Sequence, residues 1–546
     1  MPAAGILGLA FLASISGITN QFAQDDFGFI LRNDAVHDLS RGLRVFLEPY
    51  VGPPRPPELY RPLALLSFAV QWAAGGGGPV IFRLVSYLLY GAACLAVFQL
   101  ARAVLPTVTA FAVAAIFAVH PVHVEAVALA VNQGEIWVAL LSCVAVAWYV
   151  AARRAGPLRR GTMLGITALY FAACLFKENG AILPGLLLAA EFFLIPGERG
   201  LMGRVGAAAP LYLLLLLAAL TFLAIRTAVL GGDVRGALLA DAIAPLTMGQ
   251  RGLTMLTVVP HWFRLLLWPA HLQGDYSPSE LVARYSWVTD ATVGVLLIAG
   301  AVVAAMAARR RAPVISFGMV WTAVALLPVH NVLVPTGIVL AERTLFLPSV
   351  GAMLVLGGLG ALLLERASAT TRVLLGSVTG LLLVLGTYRS ATRHPDWSDM
   401  FNYWYVTANR DAPRSFRAHH ALGEMYLLAD AYGPAEREFR TSIALAPPHV
   451  SNVYLAYADM LRRRGFCHPA AELYQRSLRI DPGVHPVRMS RIACLIELGR
   501  YQEAQEEISK GVPLGEHTAT WLRLRDAADS ARQAGAPPGS VRMTLP

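Results

Sequence analysis

Charge is scarce in this 546-residue chain: 45 basic and 35 acidic residues make 80, or 15%, against about 25% for ordinary soluble proteins. That shortage excludes a water-soluble domain for most of its length. It is also uneven, since residues 395–546 hold 35 of the 80 and the first 394 residues only 45. Two regions with different solvents therefore meet near Pro395. Lysine is almost missing, with only Lys177 and Lys510. The formal charge of +10 rests on arginines scattered between apolar runs, and the absence of a basic stripe interleaved with aromatics excludes a nucleic-acid partner. Cysteine is limited to five. Cys94, Cys143 and Cys174 lie in apolar runs, Cys467 and Cys494 far along the chain, and no pair has metal-ligand spacing.

Apolar residues make up 56% of the chain. A helix of about 20 such residues crosses hydrocarbon about 30 Å thick, and the runs at 6–22, 80–104, 104–122, 136–151, 163–176, 181–195, 207–229, 293–307, 314–329, 345–364 and 373–387 qualify as membrane helices. Arginine collects in alternate loops, at Arg153, Arg154, Arg159 and Arg160, at Arg199 and Arg204, at Arg309, Arg310 and Arg311, and at Arg366 and Arg372. If these are cytoplasmic, the amino terminus is inside and everything after Tyr388 is outside. The first run lacks a charged leader and a small-x-small cleavage site, so it is taken as a membrane helix and not a signal peptide. The run at 253–268 would reverse every later helix if it crossed; with Pro260, Trp262, Trp268 and Pro269 it reads as a segment in the outer interface. The expected fold is all-α: a polytopic body of about eleven transmembrane helices over 1–390, with an outer loop at 23–79, then a soluble solenoid over 391–546.

The solenoid is read from a period near 34. Leu422, Gly423, Tyr426, Ala435, Phe439 and Pro447 have tetratricopeptide-repeat spacing, and Tyr457, Ala458, Leu461, Ala470, Tyr474 and Pro482 repeat it. A weaker third unit keeps Gly499, Tyr501 and Ala504, and residues 518–533 suit a polar capping helix. Such a stack offers a concave surface for extended chains or other proteins. Cys467 and Cys494 fall in neighbouring repeats, either as a disulfide or as two buried thiols.

Ionisable groups beside apolar runs are costly and mark function. Asp25-Asp26 follows the first run; like charge and partial desolvation can raise one of the two toward use as a general base, although such a pair more commonly caps a loop helix. His120 and His123 with Glu125 can bind metal, fix an active-site loop or anion, or cap a helix. Lys177-Glu178 and Glu342-Arg343 are adjacent acid–base doublets: either they neutralise each other, or the arginine fork meets a phosphate at headgroup depth.

The stretches Asp25-Asp26, Tyr60-Arg61-Pro62-Leu63, His120 through Val127, Lys177-Glu178, Leu267-Trp268-Pro269 with Asp275-Tyr276, Ala341 through Ser349 and Asp396-Trp397, together with the repeats, resemble the transmembrane and tetratricopeptide repeat O-mannosyltransferases. These sit within the integral-membrane glycosyltransferases of GT-C type, which use lipid-phosphate sugars. The resemblance implies that Asp25 or Asp26 is the catalytic base, with Asp25 the better candidate because it comes first after the helix and so sits nearest the cavity floor. It implies that Arg343, with Glu342, Lys177, Glu178 and Arg61, lies near the donor phosphate, and that His120, His123 and Glu125 line the same outer cavity. It implies inverting transfer of a mannose-like sugar from a polyprenyl phosphate to an acceptor hydroxyl on a protein or glycan, docked by the repeats, without metal or other cofactor. The three repeats are fewer than eukaryotic relatives carry, and the arginine-rich, lysine-poor composition points to a bacterial inner membrane, with the repeats periplasmic. Other readings are a lipid-linked-sugar transporter, which would show mid-membrane charges, a non-catalytic scaffold, or an O-antigen ligase, which concentrates function in a late outer loop.

Overall fold

The structure, a computed structural model, describes residues 2–52, 59–196, 200–232, 240, 242–276, 278, 280–333, 335–511 and 517–543. Arg199, one of the loop arginines above, lies outside the described residues, among which every regular element is helical. They form two compact units: Met1–Gly274 with Val282–Tyr403, and Asp275–Leu281 with Trp404–Pro546. The first contains α1 (Pro2–Ser14), α2 (Asp34–His37), α3 (Pro62–Gly75), α4 (Pro79–Arg102), α5 (Thr107–Ala118), α6 (Val124–Ala128), α7 (Gln133–Ala155), α8 (Arg160–Phe176), α9 (Leu183–Phe193), α10 (Leu201–Ala207), α11 (Ala209–Val229), α12 (Met248–Leu267), α13 (Thr289–Ala308), α14 (Pro313–Leu326), α15 (Phe346–Glu365) and α16 (Ala369–Arg393). At the junction lies α17 (Met400–Val406). The second unit contains α18 (Phe416–Leu428), α19 (Tyr432–Leu445), α20 (Leu455–Arg463), α21 (Cys467–Ile480), α22 (His485–Glu497), α23 (Tyr501–Ser509) and α24 (Thr518–Gln533).

Without water to bond the backbone, a chain in hydrocarbon must satisfy its amides internally, which helices do. Six helices of the first unit are long and apolar enough to cross a membrane, or seven if the bent pair at residues 107–128 is one span. That pair changes direction by 48° where His120 and Pro121 interrupt it, because Pro121 lacks the amide to continue the ladder. Four further apolar helices are shorter, including α3, which occupies part of the stretch expected to be loop. Pro62 starts α3 and Gly76, at φ 58°, ends it, the positions where proline's preset φ and glycine's freedom favour helix ends. The helices most exposed on the bundle, α13 and α16, have only 11% and 6% of their apolar windows buried. Leu296, Val302, Val303, Leu374, Leu381 and Val384 point outward from them, an apolar surface that lipid covers favourably.

Chain direction sorts the loops. Helix α7 runs from Glu135 to Arg153 and Arg154, and α8 returns from Arg160 to Lys177. The arginine-rich turns thus gather at one end of the bundle and the acidic loops at the other. At the arginine end Glu191 is buried against Arg153 at 2.7 Å. Helix α11 leaves that end and α13 returns to it. The intervening α12 finishes at the acidic end, where the Leu266 carbonyl meets His120 Nε2 at 3.2 Å.

Close approach of α14 and α15 closes the core near the site. A Cβ on Gly318 would lie 2.6 Å from the Gly351 carbonyl oxygen, and one on Gly351 would overlap that of Gly318. Trp321 Nε1 donates to the Leu347 carbonyl at 3.0 Å across the same crossing.

In the second unit α18 packs on α19, α20 on α21 and α22 on α23, with α24 against the last pair. The second helices of these hairpins begin at Tyr432, Cys467 and Tyr501, 35 and 34 residues apart. Small residues permit the contacts: a Cβ on Gly423 would lie 2.7 Å from the Phe439 ring. Cys467 and Cys494 are buried free thiols in one apolar cluster. The unit is discontinuous in sequence, because Asp275 accepts a hydrogen bond from Ser415 at 2.5 Å and Glu280 one from the Arg414 amide at 2.8 Å.

Overpacking the glycine crossing has a measurable consequence. Gly351→Leu is expected to destabilise the protein by about 1–3 kcal/mol, lowering its thermal unfolding midpoint in detergent. Gly380→Leu, at a glycine with nothing within 4 Å of an added Cβ, is expected to leave the midpoint unchanged. Equal midpoints for the two variants would contradict this account of the α14–α15 contact.

Candidate active site

After α1 the chain is pinned to the segment following α16. Ser16 donates to the Ala391 carbonyl at 2.6 Å, Asn20 to the His394 carbonyl at 2.8 Å, and the Gln21 amide to the Ser398 carbonyl at 2.6 Å. A tight turn follows, closed by the Asp26 amide on the Ala23 carbonyl at 3.0 Å. It sends the two carboxylates in different directions. Asp26 points inward and is fully buried. It lies 3.4 Å from the Arg83 guanidinium and accepts from the amides of Val131 at 2.9 Å and Ala130 at 3.4 Å. Burial pushes its carboxyl up, against the pull of Arg83 and the two amides. Asp25 keeps 37% of its side chain exposed and faces Arg343 at 3.6 Å. That distance is an ion pair but not a hydrogen bond.

Arg343 precedes α15 in a single helical turn, residues Glu342–Leu345. Its amide donates to Glu125 Oε2 at 2.8 Å and its guanidinium to Glu125 Oε1. Glu125, buried in α6, therefore takes both donors from one residue and fixes the guanidinium. The neighbouring Glu342 turns the other way, to the buried Arg393 at 3.2 Å, and accepts from the Gln273 amide at 2.6 Å. The doublet Lys177-Glu178 is split likewise. Lys177 reaches Glu135 at 2.7 Å, while Glu178 accepts from Arg61 Nε at 3.0 Å and from its terminal nitrogen at 2.9 Å. Arg61 also lies 5.5 Å from the centre of the Tyr50 ring. These groups form one electrostatic neighbourhood: Lys177 feels the charges of Glu135, Arg61 and Arg343, and Arg343 feels those of Glu125, Asp25 and Glu135.

Of the readings open for the histidines, their hydrogen bonds match the one in which they fix a loop. His123 is buried between Phe117 and Phe346, with ring centroids at 4.3 Å and 4.6 Å. Its nitrogens meet Ser349 Oγ at 2.8 Å and Tyr90 OH at 3.1 Å. His120 is also buried, against the Leu266 carbonyl and the Val122 amide. With both nitrogens engaged, each ring braces the bent α5–α6 segment. They line a small internal pocket with Ser14, Tyr90, Ser390 and His394, not the Asp25–Arg343 face. Among the described residues no three His, Cys, Asp or Glu side chains come together to hold a metal ion.

Sequence reasoning missed Arg83, Glu135 and Arg393, the partners that orient Asp26, Lys177 and Glu342. All three sit in or beside apolar runs, and their intramembrane charge was the signal available. Chemically, the arrangement offers one exposed carboxylate, Asp25, that accepts no hydrogen bond from the described residues. It faces a guanidinium held rigidly from behind. Such a pair can take a proton and stabilise a developing negative charge in one small volume.

No protein-family model matches the chain. Among curated proteins, it is 22% identical to Protein O-mannosyl-transferase TMTC3 of Mus musculus over 92% of this chain and 63% of that one. It is 27% identical to Protein O-mannosyl-transferase Tmtc1 of Drosophila melanogaster over 81% and 61%. Protein O-mannosyl-transferase Tmtc2 of the same fly is 34% identical over 36% and 22%. The chain thus spans about three fifths of the length of the first two relatives. Among solved structures, the Archaeoglobus fulgidus oligosaccharyltransferase aligns with TM-score 0.46 and 13% identity over 77% of this chain and 57% of that one. ArnT of Cupriavidus metallidurans bound to undecaprenyl phosphate aligns with TM-score 0.39 and 17% identity over 98% and 88%.

The two aspartates are expected to separate by experiment. Asp26→Ala leaves the Arg83 charge buried without its carboxylate and should cost about 3–5 kcal/mol, whereas Asp25→Ala should leave the unfolding midpoint near that of the unmodified protein. Comparable losses from both would mean that Asp25 is also structural.

Proposed function

We propose that this chain, which is similar to the transmembrane and tetratricopeptide repeat O-mannosyltransferases, transfers mannose from a polyprenyl phosphate to a hydroxyl of an acceptor protein. The observation that carries the proposal is the contrast within the aspartate doublet. Asp26 is consumed by Arg83 and two amides, while Asp25 stands exposed 3.6 Å from Arg343. Asp25 is the base in this reading. It removes the proton of the acceptor hydroxyl as that oxygen attacks the anomeric carbon, and the bond to the lipid phosphate breaks with inversion. Arg343, immobilised by Glu125, stabilises the charge that grows on the departing phosphate oxygen.

Lys177 and Arg61, each paired with a glutamate, lie near the donor phosphate and offer it hydrogen-bond donors. Phosphate is a good leaving group, so no general acid is required, and no divalent ion is needed to activate it. In the same reading the acidic end of the bundle faces the extracytoplasmic side. The hairpins α18 to α23 are tetratricopeptide repeats that bind the acceptor protein.

Purified protein in nanodiscs, given polyprenyl-phosphate mannose and a Ser/Thr-rich peptide, should release polyprenyl phosphate. Asp25→Asn is expected to lower turnover about 10²-fold or more, the scale of a positioned base, while still binding the donor lipid. Normal turnover by Asp25→Asn would falsify the assignment.

A further inference from the structure

The residue before Asp25 is in an unusual state. Gln24 has φ 47°, a left-handed conformation that glycine adopts freely and a glutamine rarely does. Only Asn331 and Asp430 share a positive φ among the described non-glycine residues. Their strain has a local use. Asn331 Oδ1 accepts from the Thr336 amide at 2.7 Å and its amide nitrogen donates to the Ile338 carbonyl at 3.0 Å; Asp430 ends the turn after α18 and accepts from Tyr432 OH at 2.9 Å. Gln24 differs. Its backbone is held by the Asp26 amide on the Ala23 carbonyl and the Phe27 amide on its own carbonyl at 3.2 Å, yet its side-chain oxygen is buried with no hydrogen-bond partner among the described residues. A strained backbone and an unsatisfied buried acceptor are both unfavourable, and they coincide one residue from the exposed carboxylate.

We propose that the Gln24 side-chain oxygen accepts a hydrogen bond from a substrate hydroxyl beside Asp25, and that the left-handed turn exists to hold it there; this rests on the transfer reading above. An amide oxygen only accepts, so its partner must be a donor. Both reactants carry hydroxyls, the sugar ring and the acceptor side chain. A neutral acceptor suits the position, because a further carboxylate would compete with Asp25 for Arg343 and disfavour its ionised form.

Gln24→Gly keeps the backbone conformation and removes the amide; Gln24→Ala removes the amide and keeps the strain. In the full chain, Gln24→Gly is expected to unfold at or above the temperature of the unmodified protein and Gln24→Ala below it. Gln24→Gly should nevertheless lose about tenfold or more in one of two quantities. A loss in the preference for polyprenyl-phosphate mannose over bare polyprenyl phosphate, measured by lipid titration, identifies a sugar hydroxyl. A loss in kcat/KM for a Ser/Thr peptide with lipid preference intact identifies the acceptor hydroxyl. Gln24→Gly matching the unmodified protein within twofold in both overturns this inference and leaves the Asp25 assignment standing. An unmodified protein that neither turns over nor distinguishes the two lipids overturns the transfer reading, and this inference with it.

Discussion

The ion pair between Glu125 and Arg343 holds the candidate site together. Glu125 is a carboxylate taken out of water in a short helix that follows a proline break, and a charge so placed must be matched or it destabilises the fold. Its match is a single residue 218 positions away in sequence, which supplies both a backbone amide and a guanidinium. Two donors from one residue fix position and direction together. The loop before α15 therefore cannot slide relative to the bent α5–α6 segment, and Arg343 is aimed at Asp25 before any substrate arrives. Preorganisation of this kind is what makes a charged group effective in stabilising a transition state.

The same device recurs at three adjacent doublets. In Asp25-Asp26, Lys177-Glu178 and Glu342-Arg343, neighbouring residues serve different partners. Asp26 turns to Arg83 and Asp25 to the open face; Lys177 reaches Glu135 and Glu178 reaches Arg61; Glu342 reaches Arg393 and Arg343 reaches Glu125. Glu178 and Glu342–Arg343 lie in short 3₁₀ turns, where consecutive side chains diverge by about a third of a circle. A doublet in such a turn can bind the scaffold with one member and present the other, so charges that look mutually neutralising in sequence become two separate contacts.

Much of this was legible from the residues alone. The charge deficit and the apolar runs identified a membrane body, the alternation of arginine loops separated its two ends, and the landmark residues from Leu422 onward anticipated helical hairpins 34 to 35 residues apart. The doublets were picked out because ionisable groups beside hydrocarbon are expensive. For the histidines the sequence left several roles open. A sequence shows that His120 and His123 are three apart, but whether their nitrogens face a ligand or Ser349, Tyr90 and Leu266 depends on helices far along the chain. Helix α3 escaped notice because its 14 residues fall short of a full crossing.

The sequence by itself determined the solvent of each region, the helical period and the identity of the costly charges, because hydrophobicity and local hydrogen bonding act between residues close in the chain. Only the tertiary structure decided which aspartate is open and which is locked, and which cation answers which carboxylate. Those outcomes turn on partners 42 to 218 residues apart, brought together by packing. In a low-dielectric interior a shift of about an ångström changes whether a charge is satisfied or left for a substrate.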